Sequence, residues 1–352
     1  MAKSIFDELM SIGVDIGKDV FHLVGFDTEG QLVLRKKIKR MALIATFEDL
    51  PRCIVGMEAC MSAHFVSRTL RKMGFEPRII PAIYVQPFNK GQKNDYNDAE
   101  AIAEAALRPN LKTVSKKTQE QLDLQALHRV RSRLVSRRTA TMNQIRAFLI
   151  EQGITVRKSV AALRTSLQAI LDNRDDEMSL RMRKLILGLQ QDWIWMDKRI
   201  EMTTSEIEAV SKSEASCQRL MTIPGIGPII STAVVAAVGT GEAYDRGRDF
   251  AAWLGLVPRQ HSTGGRTILG RITKRGSRYL RMLFVQAAQV IMMPPKNWHR
   301  FSFGPWLEAA ATRMQHNKLG VALANKLARI AWSVLNSGKD FDWKEKELAT
   351  AI

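Results

Sequence analysis

The chain has 352 residues, 45% of them hydrophobic, enough to bury the cores of two or more domains, and this excludes a disordered polymer. Its 53 Lys and Arg outweigh 35 Asp and Glu, giving a formal net charge of +18 and a pI near 10.1, an excess that points to a polyanionic partner. Three cysteines (Cys53, Cys60, Cys217) without a Cys-x-x-Cys pair exclude a disulfide framework and a structural zinc site, and no apolar run is long enough to span a bilayer, so a cytoplasmic protein with no membrane partner is expected.

In chain order, Ser11–Ile16, Val20–Phe26 and Leu32–Ile38 are short apolar or alternating runs separated by turn signals, and they predict a three-stranded meander. A short helix over 42–50, a strand Cys53–Met57, a helix Ala63–Met73 closed by Gly74, and a strand Pro77–Ile80 follow. That order predicts an α/β sandwich. After a loop with Pro81, Pro87 and Gly91, Asp98–Leu107 is rich in Ala and Glu and is expected to be helical.

From about Ser115 to Ser213 long helices with few breakers are predicted. Leu122, Leu127, Val130, Leu134 and Val135 form one apolar face, and Leu185, Leu189, Trp193, Met196, Ile200 and Ile207 have the spacing of a helix packed on a helix. An elongated helical hairpin, coiled-coil-like, is the expected form. The last third opens on Leu220 to Pro228, enters an apolar helix Ile229–Val238, passes Phe250–Leu256 and a Gly-rich basic loop at 258–276, and resumes as helices at Tyr279–Met292 and Val321–Leu335. The predicted domains are 8–110 (α/β), 111–215 (helical arm) and 216–340 (mostly helical). Net charge by segment is +1 over 1–110, +8 over 111–160, −2 over 161–215 and +11 over 216–352. The basic excess therefore lies outside the segment that carries the acidic motifs.

Those motifs are Asp15 within the first strand, Glu58 directly after the apolar run 53–57, and Asp95 and Asp98, three apart at a helix start. Carboxylates that end apolar strands are costly unless paired or metal-bound. Together the four present the hard oxygen ligands that Mg²⁺ or Mn²⁺ requires, although Asp98 alone also suits the positive end of a helix dipole and Asp95 a surface turn. In the last third, Pro224-Gly225-Ile226-Gly227 resembles a helix-hairpin-helix turn whose amides hold a DNA phosphate, or serves only to pack two helices. Arg259, Arg266, Arg271, Lys274 and Arg275 surround Ser262 and Thr263 in the basic loop, cations beside hydroxyls that suit approach to a phosphodiester; hydroxyls in such loops also serve as simple turn formers.

Taken in order, Gly13-Val14-Asp15-Ile16-Gly17, Gly56-Met57-Glu58-Ala59, Asn94-Asp95-Tyr96-Asn97-Asp98-Ala99-Glu100, Ile223-Pro224-Gly225-Ile226-Gly227 and Gly255-Leu256-Val257-Pro258-Arg259-Gln260-His261-Ser262-Thr263-Gly264-Gly265 resemble the DEDD transposases of insertion-sequence family one-hundred-and-ten, near the eleven-eleven subgroup and related to pilin-gene invertases. The resemblance implies an RNase H/RuvC-like N-terminal domain in which Asp15, Glu58, Asp95 and Asp98 hold Mg²⁺ or Mn²⁺. It also implies a C-terminal serine nucleophile, carried here to Ser262 with Thr263 adjacent. Donor and target DNA, a structured bridge RNA, a homo-oligomer (dimer or tetramer) assembled through the arm with composite sites from different protomers, and a bacterial nucleoid location are further implications. A hydrolytic junction-resolving nuclease, with water in place of serine, is the rival that a covalent protein-DNA adduct separates. An actin-like ATPase or sugar kinase would need phosphate-binding Gly-rich loops after a second meander, and a purely architectural nucleic-acid-binding protein leaves the four carboxylates unexplained.

Overall fold

The computed structural model describes residues 9–173, 178–293 and 295–342, in two compact units that divide between Lys117 and Thr118. The first unit holds a five-stranded mixed sheet of order β3-β2-β1-β4-β5. Strands β1 (Leu9–Ile16), β2 (Val20–Asp27) and β3 (Leu32–Lys39) form the antiparallel meander, and β4 (Ile54–Glu58) and β5 (Glu76–Ile80) add in parallel on the other side of β1. Helices α1 (Leu43–Glu48) and α2 (Ala63–Lys72) contribute Leu43, Phe47, Val66 and Leu70 to one core, which takes Ile12, Val14, Phe21, Leu23, Val55 and Met57 from alternate positions of the strands. After the short α3 (Ala82–Val85), α4 (Asp95–Ala106) packs on the opposite face through Ala99, Ala103, Ile102 and Ala106, against Val24, Phe26 and Ile80. A sheet covered on both faces explains why β1 and β4 read as nearly continuous apolar runs. This is the RNase H-like arrangement.

Two glycines set how closely α4 approaches. A Cβ at Gly13 would lie 2.0 Å from the Ala99 carbonyl oxygen, and one at Gly56 would lie 2.7 Å from the Ala106 Cβ. Helix backbone therefore rests almost on strand backbone, and Arg78 of β5 fixes the far end by donating from Nη1 to the Ala106 carbonyl at 2.6 Å.

The second unit begins with α5 (Gln119–Glu151), opened by a capping box in which Thr118 and Gln121 satisfy each other's backbone amides. It runs antiparallel to α7 (Leu180–Ser213), as Arg131–Thr204 and Arg138–Asp197 show, and α6 (Val160–Asn173) closes their far end over Ile145, Leu149, Leu163, Leu167 and Ile186. The expected hairpin is present, and most of its expected α7 seam is buried. Ile186, Trp193, Met196, Ile200 and Ile207 are buried on α7, whereas Leu185 and, on α5, Val130 are exposed and His128 takes a buried place. Helices α8 (Ala215–Met221), α9 (Pro228–Val238), α10 (Gly247–Trp253), α11 (Arg278–Met292), α12 (Gly304–Ala311) and α13 (His316–Ser337) enclose a core of Leu220, Val234, Phe250, Phe284, Leu323 and Leu327. The segment expected to be a Gly-rich loop is a two-stranded hairpin, β6 (Pro258–Thr263) and β7 (Arg266–Ile272), which turns at Gly264 and Gly265, both with positive φ.

Candidate metal centre and nucleic-acid interface

Asp15 lies near the C-terminal end of the central strand, and each neighbour brings a polar group alongside it. In the antiparallel β1–β2 register Asp15 faces His22. In the parallel β1–β4 register Val14 faces Met57, which sets Glu58 beside Asp15. Because Gly13 and Gly56 lie two residues earlier on the same face and carry α4, the N-terminal turn of that helix, with Asp95 and Asp98, overhangs the same strand ends. Asn94 caps the turn by accepting from the Tyr96 amide at 2.9 Å, and Asn97 donates to the carbonyls of Lys90 and Gln92, holding the preceding loop. Asp95 is thus the first residue of the helix, earlier than the sequence alone suggested.

The electrostatics agree with the geometry. Burial raises the Asp15 carboxyl above the ordinary carboxylate range, and the charges of Asp95, Asp98 and Glu58 raise it further against the opposing His22. Burial and Asp98 likewise raise Glu58, with Lys93 opposing. Asp15 and Glu58 thus lie half-buried beside like charges that His22 and Lys93 offset only in part. A hard divalent cation is the ligand that this donor set fits. Ligand atoms of Asp15, His22 and Asp95 lie within 4.8 Å of one another. His22, 6% exposed, was not singled out in the sequence, because one histidine in an apolar strand reads as core; the hairpin register is the signal that places it opposite Asp15.

The other candidate residues belong to the second unit. Ser262 is exposed on β6, opposite Thr267, and its Oγ accepts from Gln260 Nε2 at 2.7 Å; Thr263, opposite Arg266, is the last residue of the strand. Arg259, Arg266 and Arg271 lie on the same exposed hairpin, and Lys274, with φ of 55°, and Arg275 follow it. No Asp or Glu occurs between Asp249 and Glu308, so the hairpin is the projecting part of a stretch with no acidic side chain. In the turn between α8 and α9, Gly225 has φ of 79° and a Cβ there would lie 2.9 Å from Ile291, so α11 packing alone demands glycine; Gly227, the N-cap of α9, has open space at its Cβ position.

Comparison with known proteins finds one family match in the N-terminal part of the chain and a second in the C-terminal part. Residues 12–152 match a transposase family model of the DEDD IS110 type, and residues 217–302 match the model described as transposase IS116/IS110/IS902 family. The chain is 42% identical to a probable family 20 transposase of Pseudomonas aeruginosa, over 93% of this chain and 97% of the relative. It is 39% identical to the transposase for insertion sequence element IS1328 of Yersinia enterocolitica (94% and 98% covered) and 39% identical to that for IS1111A of Coxiella burnetii (93% and 90%). A DEDD domain implies a divalent metal, and a transposase implies a DNA substrate. With an RNase H-like sheet whose strand ends carry Asp15 and Glu58, with Asp95 and Asp98 on the first turn of α4, and with relatives that match over nearly their whole length, the chain belongs to the IS110 family of DEDD transposases.

Proposed function

We propose that this transposase cuts and rejoins DNA through a covalent bond to Ser262, with Asp15, Glu58, Asp95 and Asp98 as the ligands of Mg²⁺ or Mn²⁺. The observation that carries the reading is the convergence of four carboxylates, two of which, Asp15 and Glu58, are held above their ordinary pKa by burial and by neighbouring carboxylates. A divalent cation bound there supplies positive charge for phosphate oxygens. In the cutting step Ser262 Oγ bonds to phosphorus, and the bond from phosphorus to the leaving deoxyribose oxygen breaks. That oxygen takes up a proton and the serine proton is lost to solvent. Rejoining reverses the exchange with the hydroxyl of another strand, so phosphodiester bonds are conserved and no nucleotide cofactor is consumed. The exposure of Ser262 and the run of Arg259, Arg266, Arg271, Lys274 and Arg275 support this role, since the cations offset charge on the phosphate. The amides around Gly225 and Gly227 are proposed to hold a DNA phosphate.

The partners proposed are donor DNA, target DNA and a structured bridge RNA that pairs with both, for which the two basic regions, +8 over 111–160 and +11 over 216–352, supply the surface. The arm over 111–215 is proposed to join copies of the chain as a dimer or tetramer; Trp195 and Met202, one heptad apart on α7, are 53% and 65% exposed and give it an apolar contact. The test is mass spectrometry of protein trapped on a donor DNA whose rejoining is blocked. A nucleotide on the peptide containing Ser262, lost in Ser262→Ala, is expected. An adduct on Thr263, or full activity with no adduct, contradicts the serine assignment.

A further inference from the structure

We propose that His22 is a fifth donor at the carboxylate centre and tilts it toward Mn²⁺ over Mg²⁺, an inference that rests on the metal-centre reading above. His22 is 6% exposed, so its imidazole has little contact with bulk water. Its polar contact is Nδ1 to Asp95 Oδ2 at 3.5 Å, too long for a good hydrogen bond. The ring is nonetheless held in place. It meets Tyr96 edge-on at 4.8 Å, and Tyr96 is in turn covered by the Arg35 guanidinium at 4.4 Å. A rigid, buried imidazole is therefore aimed between Asp15, its cross-strand partner, and Asp95, with ligand atoms of all three within 4.8 Å of one another.

An all-oxygen site suits Mg²⁺, Ca²⁺ and Mn²⁺ alike, because all three are content with carboxylate and water. An imidazole nitrogen is different. It is a poor ligand for Mg²⁺ and a good one for first-row transition metals, so one nitrogen on a fixed strand favours Mn²⁺ selectively. It costs little reorganisation, since β2 and the Tyr96 contact hold the ring before any ion arrives.

The experiment is pulsed electron paramagnetic resonance of the full-length protein loaded with Mn²⁺, together with calorimetric titration of Mn²⁺ and of Mg²⁺. The wild type is expected to show a nitrogen coupling that changes when histidine is labelled with ¹⁵N, a readout that needs no variant to fold. His22→Gln and His22→Phe, checked for native circular dichroism, are expected to lose it, with the Mn²⁺ dissociation constant rising about tenfold and that for Mg²⁺ less than about threefold. Mn²⁺ binding that is abolished by Asp15→Asn but shows no nitrogen coupling in the wild type overturns the role of His22 and leaves the carboxylate centre standing. Mn²⁺ binding unaffected by Asp15→Asn, again with no nitrogen coupling, overturns both.

Discussion

His128 sits on α5 at 3% exposure, with Nδ1 3.1 Å from the Tyr279 hydroxyl and Nε2 3.0 Å from Thr232 Oγ1. Burial, with a smaller contribution from Arg131, lowers its pKa from 6.5 to about 4. The folded protein therefore keeps this ring neutral at a pH where the unfolded chain has protonated it. Stability is fully present above about pH 6.5 and is lost as pH falls toward 4, at up to roughly 1.4 kcal/mol per pH unit. Urea unfolding of the second unit between pH 7 and 4.5 is expected to show that slope in the wild type and a flatter one in His128→Gln; equal slopes contradict it. At this scale the sequence was legible where chemistry and pattern coincided. Asp15 and Glu58 stood out because a carboxylate ending an apolar strand has no cheap explanation. His22 and His128 did not, since a lone histidine in an apolar segment gives no sign of which neighbours it meets.

Among the elements, α4 carries two of the four proposed metal ligands, and its seat on glycine yields a paired test. Gly13→Ala places a methyl 2.0 Å from the Ala99 carbonyl and must lift the helix, carrying Asp95 and Asp98 away from Asp15 and Glu58. A loss of about 1–3 kcal/mol in stability is expected, with a larger proportional loss of recombination, as denaturant melts and a strand-exchange assay will measure. Gly188→Ala in α7 has the opposite sign: nothing lies within 4 Å of the new methyl, so the helix should gain about 0.5–1 kcal/mol with activity unchanged. The meander and helices were readable from apolar runs bounded by turn residues. The β6–β7 hairpin was not, because both of its faces are exposed and no apolar alternation marks it. The arm's seam was readable at Trp193, Met196, Ile200 and Ile207, which are buried; only its start was misplaced, with Leu185 in place of Ile186, since several apolar residues sit side by side there and only packing selects among them.

On the scale of the whole molecule, charge is divided between near-neutral residues 1–110, at +1, and the rest of the chain, at +17, and the bridge RNA is proposed as a partner of that basic surface. Protein purified from cells carrying an intact element is expected to bring down an element-encoded RNA, and RNase treatment to abolish joining of defined donor and target DNA; undiminished joining contradicts RNA guidance. The sequence made a polyanionic partner legible through its net charge and left open which one, because phosphate attracts lysine and arginine whatever sugar it joins. The central claim is that the four carboxylates form the metal centre of strand exchange. Its most direct measurement is the rate of exchange by purified protein against Mg²⁺ or Mn²⁺ concentration, for the wild type and for Asp15→Asn, Glu58→Gln, Asp95→Asn and Asp98→Asn. No exchange is expected without a divalent ion, and a drop on the order of a thousandfold is expected in the Asp15, Glu58 and Asp98 variants. In the absence of metal, Asp15→Asn is expected to melt no lower than the wild type, since that change removes repulsion. Exchange that proceeds in chelator, or folded variants that all retain the wild-type rate, would contradict that claim.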